Sequence, residues 1–148
     1  MGAETPAKTG TAKWWTVVQA ITWIVWRRLL LVERAAGIRT IAALQRLQEL
    51  RPVAVGDDPP ISPAEAPAEL VRAARDGRVA IHGRRGGSGK RDSIRLRGYL
   101  QAPWLTDHGN EVCLTNEQMT RTGDYWTDLW VRSDECMAEW PGFPQPIG

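Results

Sequence analysis

The sequence predicts an α+β fold in which a bundle of helices precedes a small antiparallel sheet. Apolar residues recur at helical spacing up to Gly77, and beyond it they alternate with polar ones, as in strands that bury one face. A basic, glycine-rich octapeptide from Arg84 to Arg91 lies between two alternating segments, which is typical of a hairpin turn. These patterns predict mainly helices in the first half of the chain and mainly strands in the second.

The chain is expected to form a single domain. Its 148 residues are enough for one hydrophobic core. We expect the domain over residues 14–141, with a helical part at 14–77 and a β-rich part at 78–141. Residues 1–13 and 142–148 lack apolar periodicity and are expected to be disordered tails.

Three helices are predicted before the middle of the chain. Thr16 and Gln19 match a capping box, and the apolar segment Trp14 to Trp26 predicts a helix that is buried on most sides. A short helix is expected over Leu29 to Ala36, and apolar residues at helical spacing predict another over Thr40 to Arg51.

A fourth helix begins near Ser62. Ser62 and Glu65 form a second capping-box pattern, which is the clearest helix start in the chain. Pro67 leaves a second possibility open, because an interior proline removes a hydrogen bond, so that the helix would begin at Pro67 instead. Gly77 is expected to end it.

The second half predicts strands and one last helix. Val79 to Arg84 and Ile94 to Arg97 alternate apolar and basic residues, so their pairing predicts a hairpin with one apolar and one basic face. Weaker strands are expected at Glu111 to Thr115 and at Tyr125 to Arg132, separated by a turn-rich segment. Ser133 is expected to cap a short helix that ends at Trp140-Pro141.

Tryptophan is unusually frequent, and all but Trp104 lie near the two ends of the predicted domain. The chain has eight Trp against one Phe and two Tyr. Large aromatic residues usually anchor a core, so this distribution predicts that the first helix packs against the last strand and helix.

Charge is distributed unevenly along the chain, although its formal net charge is only +2. From Arg72 to Arg97 there are nine basic and two acidic residues, whereas from Asp107 to Glu139 there are eight acidic and two basic ones. The predicted hairpin therefore lies at the centre of a basic segment that is followed by an acidic one.

Several classes of protein and site do not fit. The apolar run from Trp14 ends after 13 residues at Arg27 and Arg28, shorter than the roughly 20 that span a membrane, so no membrane association is expected. Cys113 and Cys136 with the two histidines match no zinc spacing, and we expect no metal, no cofactor and reduced cysteines in a cytoplasmic protein.

Catalysis also lacks a supporting motif. Gly89-Lys90 is similar to the end of a phosphate-binding loop, but Arg84 stands at its first glycine and Arg91 at its Ser or Thr. His82 could serve as a general base, and a metal-dependent nuclease could use acidic residues, but spacing singles out none of them. These acidic candidates are Asp124, Asp128, Asp134 and Glu135. We therefore expect a protein that is not an enzyme.

A resemblance covers most of the chain. The tryptophan-rich helix around Trp23, the segment Leu70 to Arg84, the segment Trp126 to Val131 and the final Trp140-Pro141 together resemble a group of small tryptophan-rich bacterial proteins with no assigned activity. The chain departs from their pattern at Thr22, where the group has an acidic residue. The resemblance implies a single intact domain and gives no residue a chemical role.

The predicted order of elements is similar to that of winged-helix proteins, in which a basic hairpin lies along a nucleic-acid backbone. Guanidinium and ammonium groups at such a hairpin would neutralise phosphates. A helix that contains Arg46 is the best candidate for reading bases, with the helix that contains Arg72 and Arg75 second. The predicted nucleic-acid-binding residues are Arg46, Arg78, Arg84, Arg85, Lys90, Arg91, Arg95 and Arg97.

The alternative is a non-enzymatic interaction or assembly protein. In that case the basic hairpin docks on an acidic surface, which belongs to this chain's own C-terminal third, to a second copy or to another protein, and exposed tryptophans anchor the contact. The sequence leaves both functions open.

Overall fold

The structure, a computed structural model, describes residues 13–46, 61–85, 90–96, 102–123 and 125–141. The described helices are α1 (Val17–Trp26), α2 (Leu29–Arg34), α3 (Ile41–Gln45), α4 (Ala66–Arg75), α5 (Glu117–Thr122) and α6 (Ser133–Glu139). The described strands are β1 (Trp14–Thr16), β2 (Ile81–Arg85), β3 (Asp92–Ser93), β4 (Trp104–His108), β5 (Glu111–Thr115) and β6 (Trp126–Arg132). The predicted mixture of helices with an antiparallel sheet is confirmed.

The strands form one sheet around β6. Its order is β3-β2-β6-β5-β4, and β1 also pairs with β6. Val131 of β6 is opposite Ile81 of β2 and Trp15 of β1, so β1 and β2 flank β6 on its two edges. Strand β6 is therefore the element through which the chain's start, the hairpin and the β4–β5 pair are joined.

Helix α1 lies at the centre of the core because all ten of its residues are buried. It contacts β1, β6, α2, α4 and α6. Its polar residues are satisfied internally: the amide of Gln19 accepts from the backbone of Thr16 at 3.0 Å and donates to Val32 O at 3.1 Å. Thr22 Oγ1 donates to Val18 O at 2.8 Å. An almost wholly apolar helix can be buried on every side because these few polar groups keep partners.

The two ends of the described chain pack together, as the tryptophan distribution predicts. Trp23 Nε1 donates to Trp140 O at 2.7 Å, and Trp140 Nε1 donates to Glu69 Oε2 of α4 at 3.1 Å. Ser133 N donates to Lys13 O at 2.9 Å, next to the β1–β6 pairing. Helix α1, helix α4 and the last turn of the chain are thus held by buried indole hydrogen bonds.

Several predicted helix boundaries are confirmed. Thr16 and Gln19 form both hydrogen bonds of the capping box before α1. Ser62 and Glu65 also form reciprocal hydrogen bonds, but α4 begins one turn later at Ala66, with Pro67 in its first turn, where the missing N–H costs nothing. The predicted helix over Thr40 to Arg51 is described only as α3, since its later residues lie outside the described part.

Other elements differ from the prediction. Trp14 to Thr16 form strand β1 rather than the start of a helix, so the sheet begins before the helices and the expected winged-helix order is not what the described chain shows. Strand β4 was not predicted, and the segment expected to be only turns contains α5. Ser133 does not cap α6: Arg132 holds the cap position, and Ser133 Oγ donates to Lys13 O at 3.2 Å.

Gly83 is required by close packing between β2 and β6. A Cβ at this position would lie 2.7 Å from Leu129 Cδ2 and 3.0 Å from the backbone oxygen of Thr127. Both distances are shorter than ordinary van der Waals contact, and the backbone oxygen cannot move without disturbing the pairing of the strands.

We expect Gly83→Ala to lower the free energy of unfolding by about 1–3 kcal/mol because it overpacks this contact. Urea denaturation monitored by tryptophan fluorescence measures the change. Gly37→Ala is the matched control, since a Cβ there meets nothing within 4 Å, and it should change stability by less than about 0.5 kcal/mol. Equal stability of the two variants would contradict the packing argument.

Candidate nucleic-acid interface

A hairpin of two antiparallel strands is present, but its second strand is β3 (Asp92–Ser93) and not the predicted Ile94 to Arg97. His82 and Gly83 of β2 pair with Ser93 and Asp92 of β3, and Ile94 N donates to Ile81 O at 2.8 Å. The connecting residues 86–89 lie outside the described part of the chain. The pairing brings the basic residues at the two ends of the octapeptide, Arg84-Arg85 and Lys90-Arg91, to one edge of the sheet.

The predicted site residues are divided among three places. Arg85, Lys90, Arg91 and Arg95 are exposed on the hairpin or directly after it, and Arg84 is half-buried beside them. Arg78 precedes β2 and forms ion pairs with Asp76 and with Glu139 of α6. Arg46 follows α3, which contacts β4, the strand at the opposite end of the sheet order from β3. Arg97 lies outside the described residues.

Asp128 is the residue on which the hairpin arginines converge. Its Oδ2 accepts a hydrogen bond from Arg91 at 2.8 Å and lies 3.2 Å from Arg84 Nε. Its Oδ1 accepts from the indole Nε1 of Trp130 at 2.9 Å. The guanidinium of Arg91 also lies over the Trp130 ring, 5.1 Å from its centroid, which is a cation–π contact. One carboxylate therefore contacts two guanidinium groups and one indole.

A β-bulge places Asp128 in this position. Between the pairs His82–Trp130 and Arg84–Thr127, β2 advances by two residues and β6 by three. Asp128 has a φ of 53°, a left-handed conformation that is common at bulges and that aspartate tolerates better than most residues. The extra residue in β6 turns the carboxylate towards Arg84 of β2 and Arg91, which precedes β3.

The surroundings keep Asp128 ionised. Its partial burial opposes the charge, but hydrogen bonds from Arg91 and Trp130 and the charges of Arg91 and Arg84 hold its pKa below the usual value. At neutral pH the cluster is thus one anion between two cations.

Aromatic side chains continue this face of the sheet. Trp14 lies edge-on to His82 with ring centroids 4.9 Å apart, and Arg132 lies over the Trp14 ring at 5.9 Å from its centroid. His82 is opposite Trp130 in the pairing of β2 with β6. The three rings are partly exposed, so the face next to the hairpin carries both flat aromatic groups and guanidinium groups.

A cleft of about 290 Å³ borders Asp128. Arg39, Glu111 and Trp130 contribute to its lining, and Asp128 N donates to Glu111 Oε1 at 3.3 Å. Arg39 was considered only as an exposed residue beside the candidate base-reading helix, and its place next to Asp128 follows from the structure alone.

The acidic C-terminal third is partly paired with the basic segment, as one of the two interpretations of the sequence expects. Arg84 and Arg91 contact Asp128, and Arg78 contacts Glu139. Within the part of the chain that the structure describes, no ion pair involves Lys90 or Arg95. The basic hairpin is therefore partly neutralised at its arginine cluster and retains exposed cations beside it.

The residues considered for catalysis have structural contacts where the structure describes them; Asp124 lies outside the described residues. Glu135 Oε1 accepts from Ala80 N at 3.0 Å, and Asp134 pairs with Arg132. Both cysteines are buried, and burial raises the pKa of Cys113 to about 11 and that of Cys136 to about 12. Among the described residues, no group of three or more His, Cys, Asp or Glu is placed to hold a metal ion.

None of the described helices combines the length and the apolar character that crossing a membrane requires.

Comparison of the chain with protein-family models, with curated proteins and with solved structures finds no match.

His82 should make stability depend on pH. Burial lowers its pKa below 6.5, and the positive charges of Arg132 and Arg91 add to this effect against the opposing charge of Glu135. The unfolded chain then binds a proton more readily than the folded one, so stability is present above pH 6.5 and is lost as the pH falls below it.

We expect His82→Gln to reduce the loss of unfolding free energy on acidification through this range, measured by urea denaturation at several pH values. His108→Gln, which removes the chain's other histidine, is the matched control. An unchanged pH dependence in His82→Gln would contradict the assignment to His82.

Proposed function

We propose that this protein binds nucleic acid and that the β2–β3 hairpin contacts the phosphate backbone. The observation that carries the proposal is the cluster of exposed cations, Lys90, Arg91 and Arg95, on one edge of the sheet. Lys90 and Arg95 form no ion pair with any described residue, so no described carboxylate has to be displaced before they contact phosphates. Such contacts supply affinity that is sensitive to salt and carries little sequence information.

The aromatic neighbours of the hairpin support a nucleic acid rather than a simple polyanion. Trp14, His82 and Trp130 lie on the adjoining face, two of them in contact with arginine guanidinium groups. Flat aromatic and guanidinium groups stack on exposed bases. The affinities for single strands and for duplexes should therefore both be measured, because stacking favours unpaired bases whereas phosphate contacts form with either.

Protein binding is the second candidate, and a different surface favours it. Trp104 is 43% exposed, which is high for tryptophan, and it lines a groove of about 740 Å³ together with Val71, Arg72 and Arg75. Exposed tryptophan and arginine are typical anchors of protein interfaces. Light scattering tests self-association at this surface: a dimer that Trp104→Ala converts to a monomer supports it, and a strict monomer excludes a second copy as the partner.

For the hairpin, we expect the double variant Lys90→Gln/Arg95→Gln to weaken binding to duplex DNA and to single strands. Removal of two phosphate contacts should reduce the slope of log affinity against log salt by about two units on duplex DNA. Fluorescence anisotropy of labelled oligonucleotides at several salt concentrations gives both quantities.

The matched control is Arg28→Gln/Arg34→Gln, which removes the same charge from exposed positions on the helices. An equal loss in both double variants would show that only net charge matters. If the unaltered protein binds no oligonucleotide even at low salt, the proposed function is wrong.

A further inference from the structure

We propose that Arg84, Arg91 and the indole N–H of Trp130 form a phosphate site, which the carboxylate of Asp128 fills in the free protein. This inference rests on the proposed nucleic-acid function and goes further by naming the groups that take one backbone phosphate. Binding of nucleic acid would displace the carboxylate, so that Asp128 limits the affinity of the hairpin.

The donors around Asp128 are those of an anion site. Two guanidinium groups and one indole N–H surround a single carboxylate, at 2.8, 3.2 and 2.9 Å. Guanidinium groups bind carboxylates and phosphates through the same charge-assisted hydrogen bonds. A phosphodiester group can therefore replace the carboxylate without a change in the donors.

One donor is left incompletely satisfied by Asp128. The Nε atom of Arg84 is buried and makes no aligned hydrogen bond, although it lies 3.2 Å from Asp128 Oδ2. Leaving such a donor unpaired is costly. The carboxylate of Asp128 is attached to β6, and its two oxygens lie in one plane, which limits how they can meet both guanidinium groups. The tetrahedral oxygens of a phosphate are not tied to β6 and can align with this donor while they also accept from Arg91.

Exchange of the two anions is feasible because the site is open. The side chains of Arg84 and Asp128 are 43% and 36% exposed. Ion pairs at such exposure are weak, and the carboxylate that leaves one is solvated by water. The exposed cations Lys90 and Arg95 lie on the same hairpin, so neighbouring phosphates of one strand would be held while the exchange takes place.

The backbone of Asp128 allows a substitution that removes only the charge. Its φ of 53° lies in the left-handed region, which asparagine adopts readily. In Asp128→Asn, the side-chain oxygen can still accept from Trp130, whereas the anion that holds Arg84 and Arg91 is absent.

The test compares Asp128→Asn with Asp134→Asn in the full chain. Asp134 is exposed and pairs with Arg132, so its substitution changes the net charge equally and leaves the Arg84–Arg91 cluster intact. We expect Asp128→Asn to bind a short oligothymidylate about three- to tenfold more tightly than the unaltered protein does. The loss of a weak competing ion pair accounts for a gain of this size. Asp134→Asn should give a markedly smaller gain.

Three results distinguish this inference from the function on which it rests. If the unaltered protein binds and Asp128→Asn gains no more than Asp134→Asn, the inference is wrong and the proposed function stands. If all three proteins fail to bind at low salt, the proposed function itself is wrong. A selective gain in Asp128→Asn supports both.

A second measurement needs no change to Asp128. The indole N–H resonance of Trp130, assigned by its loss in Trp130→Phe, should shift when oligothymidylate is added, because its acceptor changes from carboxylate to phosphate. Inorganic phosphate at the same phosphorus concentration should shift it much less, because it lacks the neighbouring phosphates that Lys90 and Arg95 hold. If inorganic phosphate shifts the Trp130 resonance equally, the assignment of this phosphate site to nucleic acid is wrong. If oligothymidylate leaves the resonance unmoved, the displacement of the Asp128 carboxylate is wrong.

Discussion

The complete burial of helix α1 is the constraint on which the rest of the structure depends. A ten-residue helix without an exposed face must be covered on every side, and no single neighbouring element can do so. The sheet covers it through β1 and β6, and α2, α4 and α6 cover the remainder. Because α6 directly follows β6 in the chain, covering α1 also fixes the end of the central strand.

The burial of α1 determines where the β2–β3 hairpin meets Asp128. Strand β6 is held at one edge by β1, next to α1, and at the other by β2. With its register fixed in this way, the extra residue of the bulge falls at Asp128, and its carboxylate turns towards Arg84 and Arg91. The charged cluster is therefore a consequence of how the core closes, although none of its charged members belongs to the core.

Local patterns predicted most elements, whereas elements that depend on distant partners were missed. The capping box at Thr16 and the strand β5 depend on neighbouring residues, and both appear where predicted. Strand β1 has three residues and exists because β6 pairs with it, so no local pattern marks it. Helix α5 could have been recognised from its Asn116 cap and the glycine after it, which are local signals. In the candidate site the basic hairpin was predicted from charge, but the role of Asp128 was not, since it requires the register of β2 against β6.

The contacts of Asp128 show how the basic and the acidic segment of the sequence are related in the fold. A basic segment followed by an acidic one suggests either a nucleic-acid surface or internal neutralisation, and the fold combines features of both. Asp128 partly neutralises the two arginines nearest the sheet, while Lys90 and Arg95 stay exposed and without an ion pair among the described residues. A carboxylate that is one-third exposed and held in a left-handed backbone conformation is a weak and local neutraliser. Under the proposed function, internal pairing of this kind would lower the affinity for phosphates without removing it, so the two interpretations of the sequence are compatible in one surface.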